Sequence, residues 1–383
     1  MRKVLAYLFI LWAITAQGQL DSLTWDAMVW GQHRSNSLPN ELVHVLVRGG
    51  NIAPSVIESA RTAQNGEMGA MGYASGLALN WQSLRPIENA RLRLCGSFQF
   101  KTLGEARWTP ELYDLIFTGN AGHLGQWDVL DGSRVRTATW IQAAVGLSGA
   151  NQNRIELALV YRMQSIDAML DNGLLYVSEG LDYMTGYVRG YAAWSEVGSW
   201  GLATNAEWHF LRQEAPIAFH LRLQNFGFAV APRWTEQKVD TALETTGFTL
   251  AELSLESLAQ LSGGTTGIIT TLNQRHRVDL LPFRIDASLD FPLGPRSGWD
   301  VQAQIGDWMP VPRVVTGYRR AFGKQWQAGI QLVAGGWGRL RPATWVRWRK
   351  PGTHAFVLFL EDPFGWGSQA AFGRGITLRY QNL

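Results

Sequence analysis

The chain alternates apolar and polar side chains over many short stretches. The clearest one runs from Leu281 to Phe291, where odd-numbered positions are apolar and most even-numbered positions are polar. A second runs from Trp299 to Ile305. Because successive side chains of a strand point to opposite faces, this period of two predicts strands with one apolar and one polar face.

Residues 202–228 predict a complete hairpin. Two alternating arms flank the polar stretch Arg212–Ala215. Pairing of Leu211 with Pro216 would place Glu207 beside His220 on the polar face and keep the apolar side chains together on the other.

The same pattern recurs along most of the chain. The candidate strands are 69–81, 90–101, 137–148, 153–163, 185–197, 202–211, 216–228, 281–291, 299–305, 313–320, 326–334, 342–350, 353–361 and 371–381. This is about 14 strands, and the number is even, as in bacterial barrels. The stretches 102–136 and 231–280 interrupt the pattern as non-strand insertions. We expect a short helix after Thr109 in the first and an amphipathic helix around Leu250–Leu261 in the second.

Strand direction can be assigned by working back from a C-terminus on the periplasmic side. Four short connections then face the periplasm, namely 212–215, 292–298, 321–325 and 351–352. The long 231–280 stretch faces outward, as expected for such barrels. The short connection 149–152 departs from this rule, because it falls on the outer side.

The first residues have the features of a secretory signal peptide. Arg2 and Lys3 precede the apolar run Val4–Ile14, and Ala16–Gly18 supplies small residues for cleavage. We therefore expect a signal peptide at 1–18, an N-terminal periplasmic or lumenal segment at 19–68 and a barrel at 69–383.

Composition narrows the class further. The chain combines 46% hydrophobic residues, 18 Trp and 41 Gly with only 17% charged residues. Beyond the signal peptide no apolar run is long enough for a spanning helix. The single cysteine, Cys95, allows no intramolecular disulfide. Loss of Arg2 and Lys3 brings the 34 basic residues close to the 31 acidic ones, so charge gives no reason to expect nucleic acid as a partner. Together these features predict an all-β fold, an antiparallel transmembrane β-barrel with short helical elements in its loops, in the outer membrane of a Gram-negative bacterium.

One motif resembles a known family. Residues 109–125 read TPELYDLIFTGNAGHLG, which is similar to an element of an uncharacterised, domain-of-unknown-function family of Bacteroidota outer-membrane β-barrel proteins. The matching positions are Asp114, Leu115, Gly119, Asn120 and Gly125. The resemblance implies a barrel distantly like fatty-acid-transporter-like barrels and those associated with gliding and type IX secretion. It brings no activity, and Gly119–Asn120 reads more simply as a tight turn.

Two sets of charged residues are candidate site residues. The pore-lining candidates are Glu207, His220, Arg222, Arg284 and Asp286. They fit a polar constriction or binding spot, but equally a hydrogen-bond network that only supports the wall. The basic cluster is Arg313, Arg319, Arg320, Arg347 and Arg349, from a stretch with no acidic residue. Inside the lumen it would favour anions, outside it would bind lipopolysaccharide phosphates, and at a rim it would simply be solvated.

The predicted function is a channel or transporter for a small or hydrophobic solute. The alternative is a plugged barrel that serves as a structural or assembly partner of a cell-surface or secretion complex. A soluble periplasmic β-protein is possible only if other protein covers the apolar face of 281–291. No HExxH or GxSxG motif occurs, so we expect no enzymatic activity, catalytic residue, metal or cofactor. The expected partners are outer-membrane lipid, lipopolysaccharide and envelope or secretion-complex proteins.

Overall fold

A single antiparallel sheet dominates the structure, a computed structural model. It describes residues 23–87, 91–119, 122–149, 152–180, 183–195, 197–211, 217–246, 266–274, 276–350 and 354–382. The nineteen strand segments of the sheet are β1 Leu23–Ser35, β2 Gly69–Pro86, β3 Arg93–Trp108, β4 Trp127–Val129, β5 Arg134–Ser148, β6 Arg154–Val177, β7 Tyr183–Ser195, β8 Ser199–Leu211, β9 Ala218–Ala231, β10 Trp234–Thr246, β11 Thr266–Gln274, β12 Arg277–Leu280, β13 Arg284–Gly294, β14 Ser297–Gly306, β15 Val311–Phe322, β16 Trp326–Gly336, β17 Arg341–Lys350, β18 His354–Glu361 and β19 Gly373–Asn382.

The sheet closes on itself. β1 pairs with β2 on one side and with the last strand, β19, on the other. Consecutive segments such as β7 and β8 occupy one position in the wall, because both pair with β6. Counted in this way, the barrel has 14 strands, and the predicted antiparallel barrel of about 14 strands is confirmed.

The predicted number was reached through two errors that cancel. The segment 19–68 contains β1, which the alternation analysis did not identify because Met28 and Trp30 make its inner face partly apolar. In contrast, 185–197 and 202–211 were counted as two strands, although β7 and β8 form one wall position. When both errors are corrected, the connection predicted at 149–152 lies at the same end as the other short turns, so its predicted outer position is wrong.

The insertions also contain more strand than predicted. Within 102–136, β3 continues to Trp108 and β5 begins at Arg134. Within 231–280, β10 pairs with β7 and with β11, which extends the sheet beyond the barrel. The helix expected around Leu250–Leu261 lies outside the described residues.

The two ends of the barrel differ. Short connections lie at the end that carries the C-terminus, which we call the short-turn end. The long connections lie at the opposite, outer end, together with helices α1 (Asn40–Arg48), α2 (Pro54–Gln64) and α3 (Pro110–Phe117). In outer-membrane barrels the short turns face the periplasm. Helix α3 begins as expected, since the Thr109 hydroxyl accepts a hydrogen bond from the Leu112 amide.

The helices pack on one another and on β3. Leu42 of α1, Ala60 of α2 and Tyr113 of α3 share a buried cluster with Trp108. None of the helices in the described part of the chain is long and apolar enough to cross a membrane.

The outer surface of the wall is apolar. Ile330 is 65% exposed, Leu157 60% and Val29 58%. Trp200 and Phe210, both outward-facing on β8, are separated by about 33 Å of strand, or roughly 25 Å along the axis of a barrel whose strands tilt by about 40°. This matches the height of the apolar band between the aromatic girdles of outer-membrane barrels. Such a band is what a transmembrane β-barrel presents to lipid.

Candidate functional site

The barrel interior contains a polar cavity of about 640 Å³. Arg284, Asp286, Ser288 and Asp290 are four successive inward-facing residues of β13, and all of them line it. These positions span about 20 Å of strand. The cavity therefore follows much of the length of the barrel.

Charges in the cavity wall are balanced. The basic lining residues are Lys101, Arg154, Arg222, Arg284, Arg313, Arg319, Arg347 and Arg379. The acidic ones are Asp26, Glu156, Glu207, Asp286, Asp290, Asp300, Asp307 and Glu361. Since the two sets are equal in number and most members are paired, the wall presents polar groups without a strong net field.

The β8–β9 hairpin supplies one part of this wall, and its register differs from the predicted one. Glu207 lies opposite Arg222, and His209 lies opposite His220. The predicted pairing of Glu207 with His220 is thus wrong by two residues. A shift of two keeps every side chain on its predicted face, and Glu207 still accepts a hydrogen bond from His220 Nε2 at 3.0 Å.

The five pore-lining candidates come together across three adjacent segments. β13 pairs with β9, so that Asp286 lies opposite Arg222. Arg284 donates to Asp286 at 2.8 Å. Of the five, only His220 is not itself a cavity-lining residue, although its partner Glu207 is. The candidates therefore form one continuous polar surface.

The basic cluster divides into two groups. Arg313, Arg319 and Arg347 line the cavity, whereas Arg320 and Arg349 are exposed near the short-turn end. Arg319 makes a bidentate pair with Asp290 at 2.5 Å. The stretch lacks acidic residues in sequence, but other strands supply them, as β13 supplies Asp290. The two exposed arginines lie at the end away from the long loops, which does not suit contact with lipopolysaccharide of the outer leaflet.

The outer part of the interior is narrowed by the turn between β14 and β15. Asp307 and Trp308 both have positive φ, 50° and 62°, which is uncommon for residues other than glycine. Lys101 Nζ on β3 donates to Asp307 at 2.7 Å. The guanidinium of Arg136 lies 4.7 Å from the Trp308 ring centroid. These contacts hold the turn inside the barrel.

An apolar layer lies beside this turn. The buried side chains of Leu103, Trp140, Val160 and Leu281 belong to one cluster, against which Trp308 packs. The layer was not predicted, because it interrupts the polar face of strands that are polar elsewhere. Pairing over 206 positions, as for Lys101 and Asp307, also has no local sequence signal.

A second group of charged contacts lies at the outer end of the barrel and is centred on Glu361. Glu361 accepts hydrogen bonds from Arg341 at 2.7 Å and from Arg313 at 3.0 Å, and it also pairs with Arg34. The connection after β16 folds over this group. A Cβ at Gly72 would lie 2.0 Å from the Trp337 ring, so the indole position requires glycine there.

The family motif residues form a structural unit away from the cavity. Asp114 on α3 accepts a hydrogen bond from His123 Nε2 at 2.8 Å, and His123 Nδ1 lies 2.6 Å from Asp128. Burial opposes a charge on His123, but its bonds to the two carboxylates outweigh this and raise its pKa.

The glycines of the motif shape the same loop. Gly119 and Gly125 both have positive φ, Leu115 is half-buried on α3, and Asn120 lies outside the described residues. The motif thus has a structural role in the part of the loop that is described.

Comparison with known proteins adds fold similarity only. No family model matches the chain, and no curated protein matches its sequence. The toluene transporter TbuX of Ralstonia pickettii aligns over 94% of this chain and 89% of its own at 7% identity, with a TM-score of 0.43. A FadL homologue of Pseudomonas aeruginosa aligns over 94% and 90% at 9% identity, with a TM-score of 0.40.

An autotransporter also resembles the chain. The translocator domain of NalP from Neisseria meningitidis aligns over 100% of this chain and 98% of its own at 8% identity, with a TM-score of 0.31. At these identities and TM-scores the similarity carries no functional argument, and the function is argued from the geometry of this chain.

Proposed function

We propose that this protein is an outer-membrane channel that admits a small solute to its polar interior. The observation that carries the proposal is the cavity, which is lined by charged and amide side chains over about 20 Å of strand inside an apolar outer wall. A barrel that served only as a scaffold would not need a water-accessible, charged lining of this length.

The lining favours a small polar solute. Balanced charges give little preference for anions over cations, which argues against the anion-selective pore that the basic cluster suggested. Paired carboxylates and guanidiniums also offer hydrogen-bonding groups to sugars and amino acids. A hydrophobic solute, the other predicted possibility, would gain little from these groups.

Passage requires a change at the outer end. The turn at Asp307 and Trp308 lies inside the barrel and is held by Lys101. Both partners are nearly fully buried, at 3% and 5% side-chain exposure. We infer that displacement of this turn controls entry from the outside, so that flux through the unmodified protein is low.

The predicted role as an assembly partner is less well supported. It rested on the amount of non-strand sequence in 19–68, 102–136 and 231–280. Much of that sequence forms β1, β10 and β11 or packs as helices on the barrel. The resemblance to the Bacteroidota family likewise stays a prediction.

Uptake into liposomes tests the proposal. Purified, folded protein would be reconstituted, and entry of a small sugar, an amino acid and a monoaromatic hydrocarbon would be measured. The variant Lys101→Met with Asp307→Asn should admit more of the polar solutes than the unmodified protein. The matched control, Arg134→Gln with Asp167→Asn, removes a pair that is bonded at 2.7 Å outside the cavity lining and should change nothing.

The outcomes separate the two solute classes. Uptake of the polar probes alone supports the proposal. Uptake of the hydrocarbon alone, faster than into protein-free liposomes, would leave the channel supported but show that its solute is hydrophobic. No uptake by either the unmodified or the double-variant barrel, with folding shown by heat-modifiable gel mobility, would refute the channel itself.

A further inference from the structure

Three potential metal ligands meet on the β8–β9 hairpin. Glu207 and His209 are neighbours on the inner face of β8, and His220 lies directly opposite His209 on β9. One ligand atom from each of the three residues lies within 4.8 Å of the other two. Residues that alternate by two on one strand and pair across to the next form a preorganised triad on a rigid element.

The imidazoles of His209 and His220 both contact the same carboxylate oxygen of Glu207. His209 Nε2 and His220 Nε2 each lie 3.0 Å from Glu207 Oε1. The rings are stacked, with centroids 4.4 Å apart and an interplanar angle of 20°. In a tetrahedral site with bonds of about 2.0–2.1 Å, ligand atoms are roughly 3.3 Å apart. The two His–Glu separations are close to this value, and small rotations of the rings would admit an ion.

The surroundings suit binding from solution. Side-chain exposure is 25% for Glu207, 29% for His209 and 30% for His220, so the site is reachable by water. Glu207 also lines the cavity. The guanidinium of Arg222 lies 3.9 Å from the other carboxylate oxygen, Oε2. It can hold the carboxylate in place while Oε1 faces the imidazoles.

We propose that Glu207, His209 and His220 bind a divalent first-row transition metal ion near the short-turn end of the cavity. Imidazole and carboxylate ligands suit zinc, copper and nickel, whereas calcium and magnesium need more oxygen ligands. Three protein ligands leave one position open for water or solute. The sequence analysis expected no metal site, because no HExxH motif occurs.

The site is tested on the intact barrel in detergent, purified without a polyhistidine tag. Zinc binding would be measured by titration calorimetry, and the coordination of Cu²⁺ by electron paramagnetic resonance. We expect one ion per chain and signals from two nitrogen ligands. His209→Gln, His220→Gln and Glu207→Gln should each weaken binding by more than about 100-fold, since loss of outer-shell partners alone costs roughly 10- to 100-fold.

The control variant is His44→Gln, which alters an exposed histidine of α1 and should leave binding unchanged. Heat-modifiable mobility identifies variants that fold, and a variant that fails to fold is replaced by its Asn counterpart. Equal zinc binding by the unmodified protein and by a folded His209→Gln and His220→Gln double variant would overturn the proposal. So would the absence of binding to the unmodified protein. Neither result depends on solute flux, so the metal site and the channel are tested separately.

Discussion

Lys101 and Asp307 form an ion pair across the barrel interior, with Nζ and Oδ1 separated by 2.7 Å. Lys101 belongs to β3, whereas Asp307 follows β14, which lies on a distant part of the wall. The pair thus ties the inward-folded turn to the opposite side of the barrel. This contact therefore limits the width of the outer part of the interior.

Replacing only one residue of this pair should destabilise the barrel more than replacing both. Asp307→Asn leaves the buried Lys101 ammonium without its partner, which typically costs about 3–5 kcal/mol. The double variant Lys101→Met with Asp307→Asn should recover most of that loss and conduct more than the unmodified protein. Urea titration in lipid vesicles measures the stabilities, and planar-bilayer recording measures the conductance. Additive losses in the double variant would show that the pair is not coupled.

A charged side chain introduced into the lipid-facing apolar band should destabilise the folded barrel. Ile330 is 65% exposed on β16, about 13 Å of strand from Trp326 in the aromatic girdle. Ile330→Arg should cost about 2–4 kcal/mol of folding free energy, as for arginine near the bilayer midplane. Leu340 has the same exposed fraction, 65%, but lies in an outer connection, so Leu340→Arg serves as the matched control.

Folding titrations into vesicles compare these two variants. A nearly neutral Leu340→Arg together with a destabilised Ile330→Arg is expected. Equal effects would mean that the surface around Ile330 does not contact lipid.

The contacts of His123 with Asp114 and Asp128 should contribute less stability as pH rises. The pKa of His123 is raised in the folded protein by Asp114 and Asp128, despite the opposing effect of burial. A raised folded pKa contributes stability that is fully present below the unfolded value of about 6.5 and is lost as pH rises through the folded value. Hydrogen-exchange protection of α3 should therefore be greater at about pH 5.5 than at about pH 8.5.

His123→Gln removes the titration and should flatten this pH dependence, whereas His44→Gln, which alters an exposed histidine of α1, should not. An unchanged pH profile in His123→Gln would show that another group is responsible.

The faces of the barrel were predictable from sequence, and the contacts inside it were not. Alternation in 281–291 fixes which residues of β13 point inward, because a strand offers only two faces. The same reasoning placed Glu207, Arg222, Arg284 and Asp286 on the polar side. It could not locate β1, where Met28 and Trp30 occupy inward positions.

Register and long-range pairs need information that the local pattern lacks. A shift of two residues leaves both faces of the β8–β9 hairpin intact, so the alternation could not reveal that His209 faces His220. The Lys101–Asp307 pair depends on a turn that folds back into the barrel. The absence of acidic residues from 313–350 was similarly misleading, because Asp290 of β13 and Glu361 of β18 pair with arginines of β15 across the barrel interior.

The most direct test of the channel compares two adjacent positions on β13 by thiol modification during planar-bilayer recording. In a Cys95→Ser background, which removes the single native cysteine, Ser288→Cys places a thiol in the cavity lining. Ala287→Cys places one on the opposite, lipid-facing side of the same strand. Both would be made together with Lys101→Met and Asp307→Asn, so that current is measurable. A charged methanethiosulfonate should reduce the current through Ser288→Cys and leave that through Ala287→Cys unchanged. Folded barrels that carry no current, or that carry current unaffected by modification at Ser288→Cys, would contradict a route through the polar interior.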